Sequence, residues 1–223
     1  MLLLVLSLCL CARLLLAAEP AAEVKELTGK VWATLGNEAP RKLAVGDPVF
    51  AGDYIKSYRS ARVKLLFRDK TRFELGPSSE FKVNQFKFNS ANQKDGIVTK
   101  VFKGTFRFFS GLIAKRTPRS MTVQTSMATI GIRGTQVVGE VGETNATIIL
   151  LEPQDSSRRT AIEVTNQFGS VVIDEPGFGT EIPDQFSPPS PPRRMRLQTI
   201  NNITRSIQRM QRMNVPRPRI RVP

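Results

Sequence analysis

The chain contains no histidine, and its two cysteines, Cys9 and Cys11, both lie within the first eleven residues. The rest of the chain therefore offers no disulfide, no thiolate nucleophile, no cysteine- or histidine-ligated zinc and no imidazole general base. Phosphate-cradling and nucleophile-elbow patterns are missing too: there is no Gly-x-Gly-x-x-Gly, no Gly-Lys-Ser/Thr loop and no Gly-x-Ser-x-Gly. A long apolar run is also lacking. The opening MLLLVLSLCLCARLLLAAEP is broken by Arg13, short of the roughly 20 apolar residues that a spanning helix needs. Its small-residue end fits a secretory signal over residues 1–18, cleaved between 17 and 22, although no basic residue precedes the apolar run. What remains for catalysis is carboxylate, lysine, tyrosine and hydroxyl chemistry.

Charge of one sign is in excess, and unevenly placed. The net charge is +14, and residues 183–223 hold nine arginines, no lysine and one acid. The body is thus mildly basic and the tail strongly so. Tyrosine and tryptophan are scarce, with two and one against 13 phenylalanines. The phenylalanines are read as core packing rather than a stacking platform. Trp32, in Lys30-Val-Trp-Ala-Thr34, is read as core or rim.

From Val24 to about Asp174 the pattern is strand after strand. Ala61, Val63, Leu65 and Phe67 alternate with Arg62, Lys64 and Arg68. After a turn at 67–71, Phe73 and Leu75 alternate with Arg72 and Glu74, completing a hairpin. A phase change near Asn84 suggests a bulge. Val98–Phe102 and Thr105–Phe109 read as two strands meeting at Lys103-Gly104. The expected fold is all-β, an antiparallel sandwich or roll with β-helix-like stacking as the variant, over residues 24–175. Residues 176–194, with Ser187-Pro-Pro-Ser-Pro-Pro192 at their centre, are expected to be an extended linker unable to form ladder strands. Leu197, Ile200, Ile203, Ile207, Met210 and Met213 then recur at helical spacing, opposite Arg205, Arg209 and Arg212. That is a basic amphipathic helix over 195–214, followed by a disordered tail over 215–223. It would either lie on an anionic membrane surface or dock on its own domain or a partner.

Three constellations deserve a chemical reading. Gly46-Asp47 and Gly52-Asp53 stand six residues apart. Two carboxylates could serve as acid and base in a glycan hydrolase, but Gly-Asp is turn chemistry, and a loop cation site needs more oxygen ligands than these supply. No metal or cofactor is expected. Arg62, Lys64 and Arg72 fall on the solvent side of the hairpin, where they could meet an anionic partner or simply be solvated. Nucleic acid is disfavoured, because no aromatics interleave these basic residues. The stretch Gln124-Thr-Ser-Met-Ala-Thr-Ile-Gly-Ile-Arg-Gly-Thr-Gln-Val137 reads as a strand. Gly131 would allow close approach of a neighbour, Gly134 would form a bulge, and Arg133 would orient through an ion pair or hydrogen bond.

Ala128-Thr-Ile-Gly-Ile-Arg-Gly-Thr135, preceded by Lys115-Arg-Thr-Pro118, resembles the signature of the FecR-domain family. So do the doubled Gly-Asp turn, Val63-Lys-Leu-Leu-Phe-Arg-Asp-Lys-Thr-Arg-Phe-Glu-Leu75, Ser79-Glu-Phe-Lys-Val83 and Phe102-Lys-Gly-Thr-Phe-Arg-Phe108. The resemblance covers about residues 27–141 and is nearest to the stand-alone exported members. It implies a non-enzymatic, periplasmic or envelope β module of a Gram-negative bacterium that binds a protein or an envelope polymer. The family's regulators, linked to a sigma factor and an outer-membrane transducer, supply the alternative. The resemblance implies no catalytic residues, and the sequence leaves the oligomeric state open.

Overall fold

A computed structural model describes residues 19–88, 95–117, 120–153 and 160–208. The signal-peptide expectation (1–18) and the tail expectation (215–223) fall outside the described residues. The strands run β1 (Ala22–Thr28), β2 (Val31–Leu35), β3 (Arg41–Lys42), β4 (Pro48–Val49), β5 (Asp53–Ser57), β6 (Arg62–Phe67), β7 (Arg72–Leu75), β8 (Glu80–Lys87) and β9 (Gly96–Phe109). A short helix, α1 (Leu112–Arg116), leads to β10 (Met121–Thr125), β11 (Thr129–Arg133), β12 (Gln136–Val141), β13 (Ala146–Leu151), β14 (Ala161–Asn166), β15 (Gly169–Ile173), β16 (Phe178–Ile182) and β17 (Arg193–Arg194). Helix α2 (Leu197–Gln208) ends the described chain.

The ladders make two open sheets that share β9. Sheet A has the order β4-β1-β6-β7-β9-β12-β13-β16-β17. Sheet B has the order β3-β2-β5-β8-β9-β10-β11-β14-β15. All pairings are antiparallel except β9–β10, which follows from the return through α1. The sheets face each other across one core. Phe73 of sheet A meets Phe81 of sheet B at a ring separation of 4.4 Å, and Phe67 meets Phe86 at 5.5 Å. The phenylalanine-rich composition thus goes mainly to the seam between sheets, where large rings fill the ~10 Å sandwich spacing.

Period-2 alternation positions the side chains. On β6, Val63, Leu65 and Phe67 are buried, while Arg62, Lys64 and Leu66 face outward. The β6–β7 hairpin forms as its sequence indicates. Its turn is held by Asp69, which accepts hydrogen bonds from Thr71 N (3.0 Å) and Thr71 Oγ1 (2.7 Å). The bulge near Asn84 is present as a register shift between Val83 and Gln85.

Two expectations are corrected. Val98–Phe102 and Thr105–Phe109 are one strand, β9, which crosses from sheet B to sheet A. Gly104 makes the bend, with φ +100°, and a Cβ there would come within 2.6 Å of the Ser79 Cα. Only glycine takes that conformation at that distance without strain. The proline-rich segment 176–194 does contain ladder strands. Phe178–Ile182 pairs with β13, because its prolines lie outside the paired residues, and Arg193–Arg194 then closes on β16. Ser190 caps this return by accepting from Thr180 Oγ1 at 2.7 Å.

Candidate functional site

The outer face of sheet A gathers Arg62, Lys64 and Arg72, and it holds each of them in contacts within the molecule. Helix α2 lies on this face. Ile203 and Ile207 are buried against Val138, Ile149 and Met195, with Leu151 and Ile200 at the margin. Val138 and Ile149 project outward because Val137, Ile148 and Leu150, their strand neighbours, point into the main core. Arg62 donates through Nε to the carbonyl of Ser206, and Ser206 Oγ lies 2.8 Å from Thr105 Oγ1. Arg62 is thus a helix anchor rather than a free solvent-facing cation. Lys64 pairs with Glu26 at 2.7 Å and lies 3.7 Å from Glu74. Arg72 and Arg107 both stack on Phe109, at 4.1 and 4.5 Å from its centroid. Burial pulls the Arg107 guanidinium down; Glu74 opposes this and the like charge of Arg72 adds to it. Arg205 is exposed on α2, whereas Arg209 and Arg212 lie outside the described residues. Leu197, read as part of the apolar stripe, is 78% exposed and contributes nothing to the docking.

The two Gly-Asp pairs are turns of one design. Asp47 N bonds Ala44 O, and Asp53 N bonds Phe50 O, each closing a four-residue turn. Gly46 (φ +93°) and Gly52 (φ +98°) take the third position, where a type II turn requires positive φ. Each aspartate then accepts from the N–H at the start of its own turn, Asp47 from Ala44 (2.8 Å) and Asp53 from Phe50 (2.7 Å). Asp53 is fully buried and also takes a bidentate pair from Arg41, at 2.8 and 2.5 Å. With both oxygens bonded and its side chain buried, Asp53 is structural, and Asp47 closes its own turn, which leaves the hydrolase reading without an acid pair.

In the Gln124–Val137 stretch the strand reading holds, with different glycine roles. A Cβ on Gly131 would lie 3.9 Å from its nearest neighbour, an ordinary contact, so no close approach needs this glycine. Gly134 has φ +67° and sits where the chain leaves β11 in sheet B for β12 in sheet A. It is a sheet-switching turn, not a bulge. Arg133 reaches Glu163 at 3.9 Å, a loose and solvent-exposed pair.

The feature that sequence reading missed lies on the outer face of sheet B. The single tryptophan and both tyrosines of the chain line one groove of about 310 Å³, with Thr34, Pro40 and Lys56. Trp32 sits on β2, directly opposite Lys56 on β5 and Lys42 on β3. Tyr54 packs edge-on against Phe102 at 5.6 Å, and Lys100 Nζ lies 5.0 Å over Phe102. Tyr54 donates to the Glu80 carboxylate, which also pairs with Lys56 (3.3 Å) and Lys103 (3.2 Å). Burial and that hydrogen bond push the Tyr54 phenol above its usual range. Burial pushes the Glu80 carboxyl up, but the bonds from Tyr54, Lys103 and Lys56 outweigh it and hold Glu80 below the usual carboxylate range. Aromatics and basic residues are therefore interleaved on this face after all. The sequence signal was Tyr54, Lys56 and Tyr58 at period 2 against buried Asp53, Ile55 and Ser57. Among the described residues no group of three or more acids stands ready to hold a metal ion.

Residues 53–154 match the family model described as FecR protein. The protein carries a FecR domain. The match runs from β5 to just past β13, so the FecR domain supplies Tyr54, Tyr58, the β6–β7 hairpin and the sheet-switching glycines. Trp32, Pro40 and helix α2 come from flanking residues that build onto it. No curated protein is significantly similar to the chain. Two crystal structures of a candidate anti-sigma factor from Parabacteroides distasonis ATCC 8503 are similar at 10% identity, with TM-scores of 0.49 and 0.48. Each similarity covers 66% of this chain and 62% of the other.

Proposed function

We propose that this FecR-domain protein is a non-enzymatic module of the Gram-negative envelope, exported to the periplasm, that engages a protein partner in signalling or scaffolding. The family match supports the regulatory character, and envelope association is a property of the family. The observation that carries a protein partner is the edge of sheet B. Strand β15 pairs with β14 on one side only among the described residues. Val172 on that edge is 52% exposed, and Phe168 in the adjoining turn is 43% exposed. An unpaired edge with outward apolar side chains is what strand addition by an incoming segment uses.

The test is site-specific photo-crosslinking in intact cells. A photoreactive residue at Val172 is expected to capture one defined protein, whereas the same residue at Val45, a still more exposed valine in the Ala44–Asp47 turn, captures none. The same capture pattern at both positions, or none at 172, overturns the proposal. The membrane-surface role of α2 is not favoured, because its buried isoleucines are already committed to sheet A.

A further inference from the structure

We infer that the aromatic groove of sheet B is a binding site for an acidic oligosaccharide, one bearing uronate or similar anionic groups. The inference rests on the envelope reading above only for its choice between sugar and nucleic acid.

The argument begins with where the rare residues go. A chain with one tryptophan and two tyrosines has placed all three in a single surface groove, while six of its 13 phenylalanines are buried and Phe86, Phe88 and Phe178 pack at the edge of the core. Tyr58 is 47% exposed, so its ring is open to a ligand in the groove. Flat, partly exposed rings offer a sugar's C–H face what it needs, and their polar edges stay wet.

The charges around the rings then select the sugar. Cross-strand pairing sets Lys42, Trp32, Lys56, Glu80 and Lys103 in one row across β3, β2, β5, β8 and β9. The next row runs Thr34, Tyr54, Lys82 and Lys100. Five lysines thus surround the groove, with Glu80 as the one acid in these rows. Among the described residues Lys42 and Lys82 have no hydrogen-bond or ion-pair partner, so they remain available to an anion. Glu80, kept ionised by Tyr54, Lys56 and Lys103, adds an acceptor for hydroxyl donors. A polyproline segment would bring carbonyl acceptors but no anion for Lys42 and Lys82 and no hydroxyl donors for Glu80. An acidic sugar brings hydroxyl donors and anions together. Single-stranded nucleic acid shares the stacking and the charge, but it is not a constituent of the envelope compartment proposed above.

The full chain, with Trp32 as its single tryptophan reporter, is titrated with a short oligogalacturonate, a neutral maltooligosaccharide of equal length, an oligothymidylate and a Pro-x-x-Pro peptide. Emission and calorimetry are read in parallel. Oligogalacturonate is expected to bind best, to change Trp32 emission and to weaken with added salt. Tyr58→Ala, at an exposed position, is expected to weaken it roughly tenfold. Lys82→Ala is expected to weaken it and to flatten the salt dependence. Equal binding of the neutral sugar, tighter binding of oligothymidylate or peptide, or unchanged binding by both variants overturns the inference. These outcomes are independent of crosslinking at Val172, so the loss of one reading leaves the other standing.

Discussion

The docking of α2 is the arrangement most open to quantitative attack, and Ile207→Ala is the sharpest perturbation. Ile207 is 1% exposed and lies among Val138, Ile149, Met195 and Ile203. Truncating a buried isoleucine to alanine costs about 2–5 kcal/mol, depending on how far the site collapses. Here one wall is a helix of twelve residues on a sheet surface, which can settle more easily than a two-sided core, so the lower part of that range, about 2–3 kcal/mol, is expected. Leu197→Ala, on the same helix but 78% exposed, is the control and should stay within about 0.5 kcal/mol. Urea unfolding with a constant m-value reads the difference. Hydrogen exchange supplies the second reading, because a helix can undock without global unfolding. Amides in 197–208 should lose protection in Ile207→Ala, while those of β12 keep theirs. Equal midpoints for the two variants, or equal loss of protection on α2 and β12, would refute the docking argument. The undocked stripe should also bind anionic vesicles more strongly than the wild-type helix does.

Four further outcomes follow from the same geometry. Gly104→Ala forces a Cβ within 2.6 Å of the Ser79 Cα at φ +100° and should prevent stable folding or cost several kcal/mol, whereas Gly131→Ala should be within about 1 kcal/mol of neutral; thermal melts separate the two. Asp53→Ala leaves the Arg41 guanidinium beside an emptied buried site and should cost about 3–5 kcal/mol in urea unfolding. Arg62→Met keeps the aliphatic stem but removes the donor to Ser206, so it should lower protection of α2 amides more than global stability. Glu80→Gln removes a carboxylate whose folded pKa is depressed. The wild-type advantage should be full above the unfolded carboxylate pKa and vanish as pH falls through the depressed folded value, seen as melting curves that differ at about pH 7 and converge in acid.

Much of the fold was legible because β-strands write their burial in period 2. The β6–β7 hairpin, the bulge at Val83–Gln85 and the Gly-Asp turns all follow from residues close together in the chain. The misreadings share a different cause. Gly104 looks like a turn residue between two strands, yet the strand continues through it into the other sheet. Whether glycine breaks or bends a strand depends on what waits on either side, and β8, β7 and β12 are distant in sequence. Prolines between Pro183 and Pro192 argued against ladder strands, but they lie between the paired residues of β16 and β17 rather than among them. Arg62 read as solvent-facing because its local alternation is correct; the helix that covers it arrives from residue 206.

The candidate groove was hidden for the same reason, and its case is the more instructive. Trp32 and Tyr54 stand 22 residues apart, and nothing in either segment alone marks them as neighbours. Lys82 and Lys100 join them only through β8 and β9. A rule was nevertheless available. In a chain whose core is built from phenylalanine, valine and isoleucine, tryptophan and tyrosine that alternate with lysine on outward positions are not needed for packing. The same scarcity makes it informative that all three of these rings line one groove. Three polar rings suffice for a surface site when pairing gathers all of them on one face, and the lysines around them then decide which ligand that face can hold.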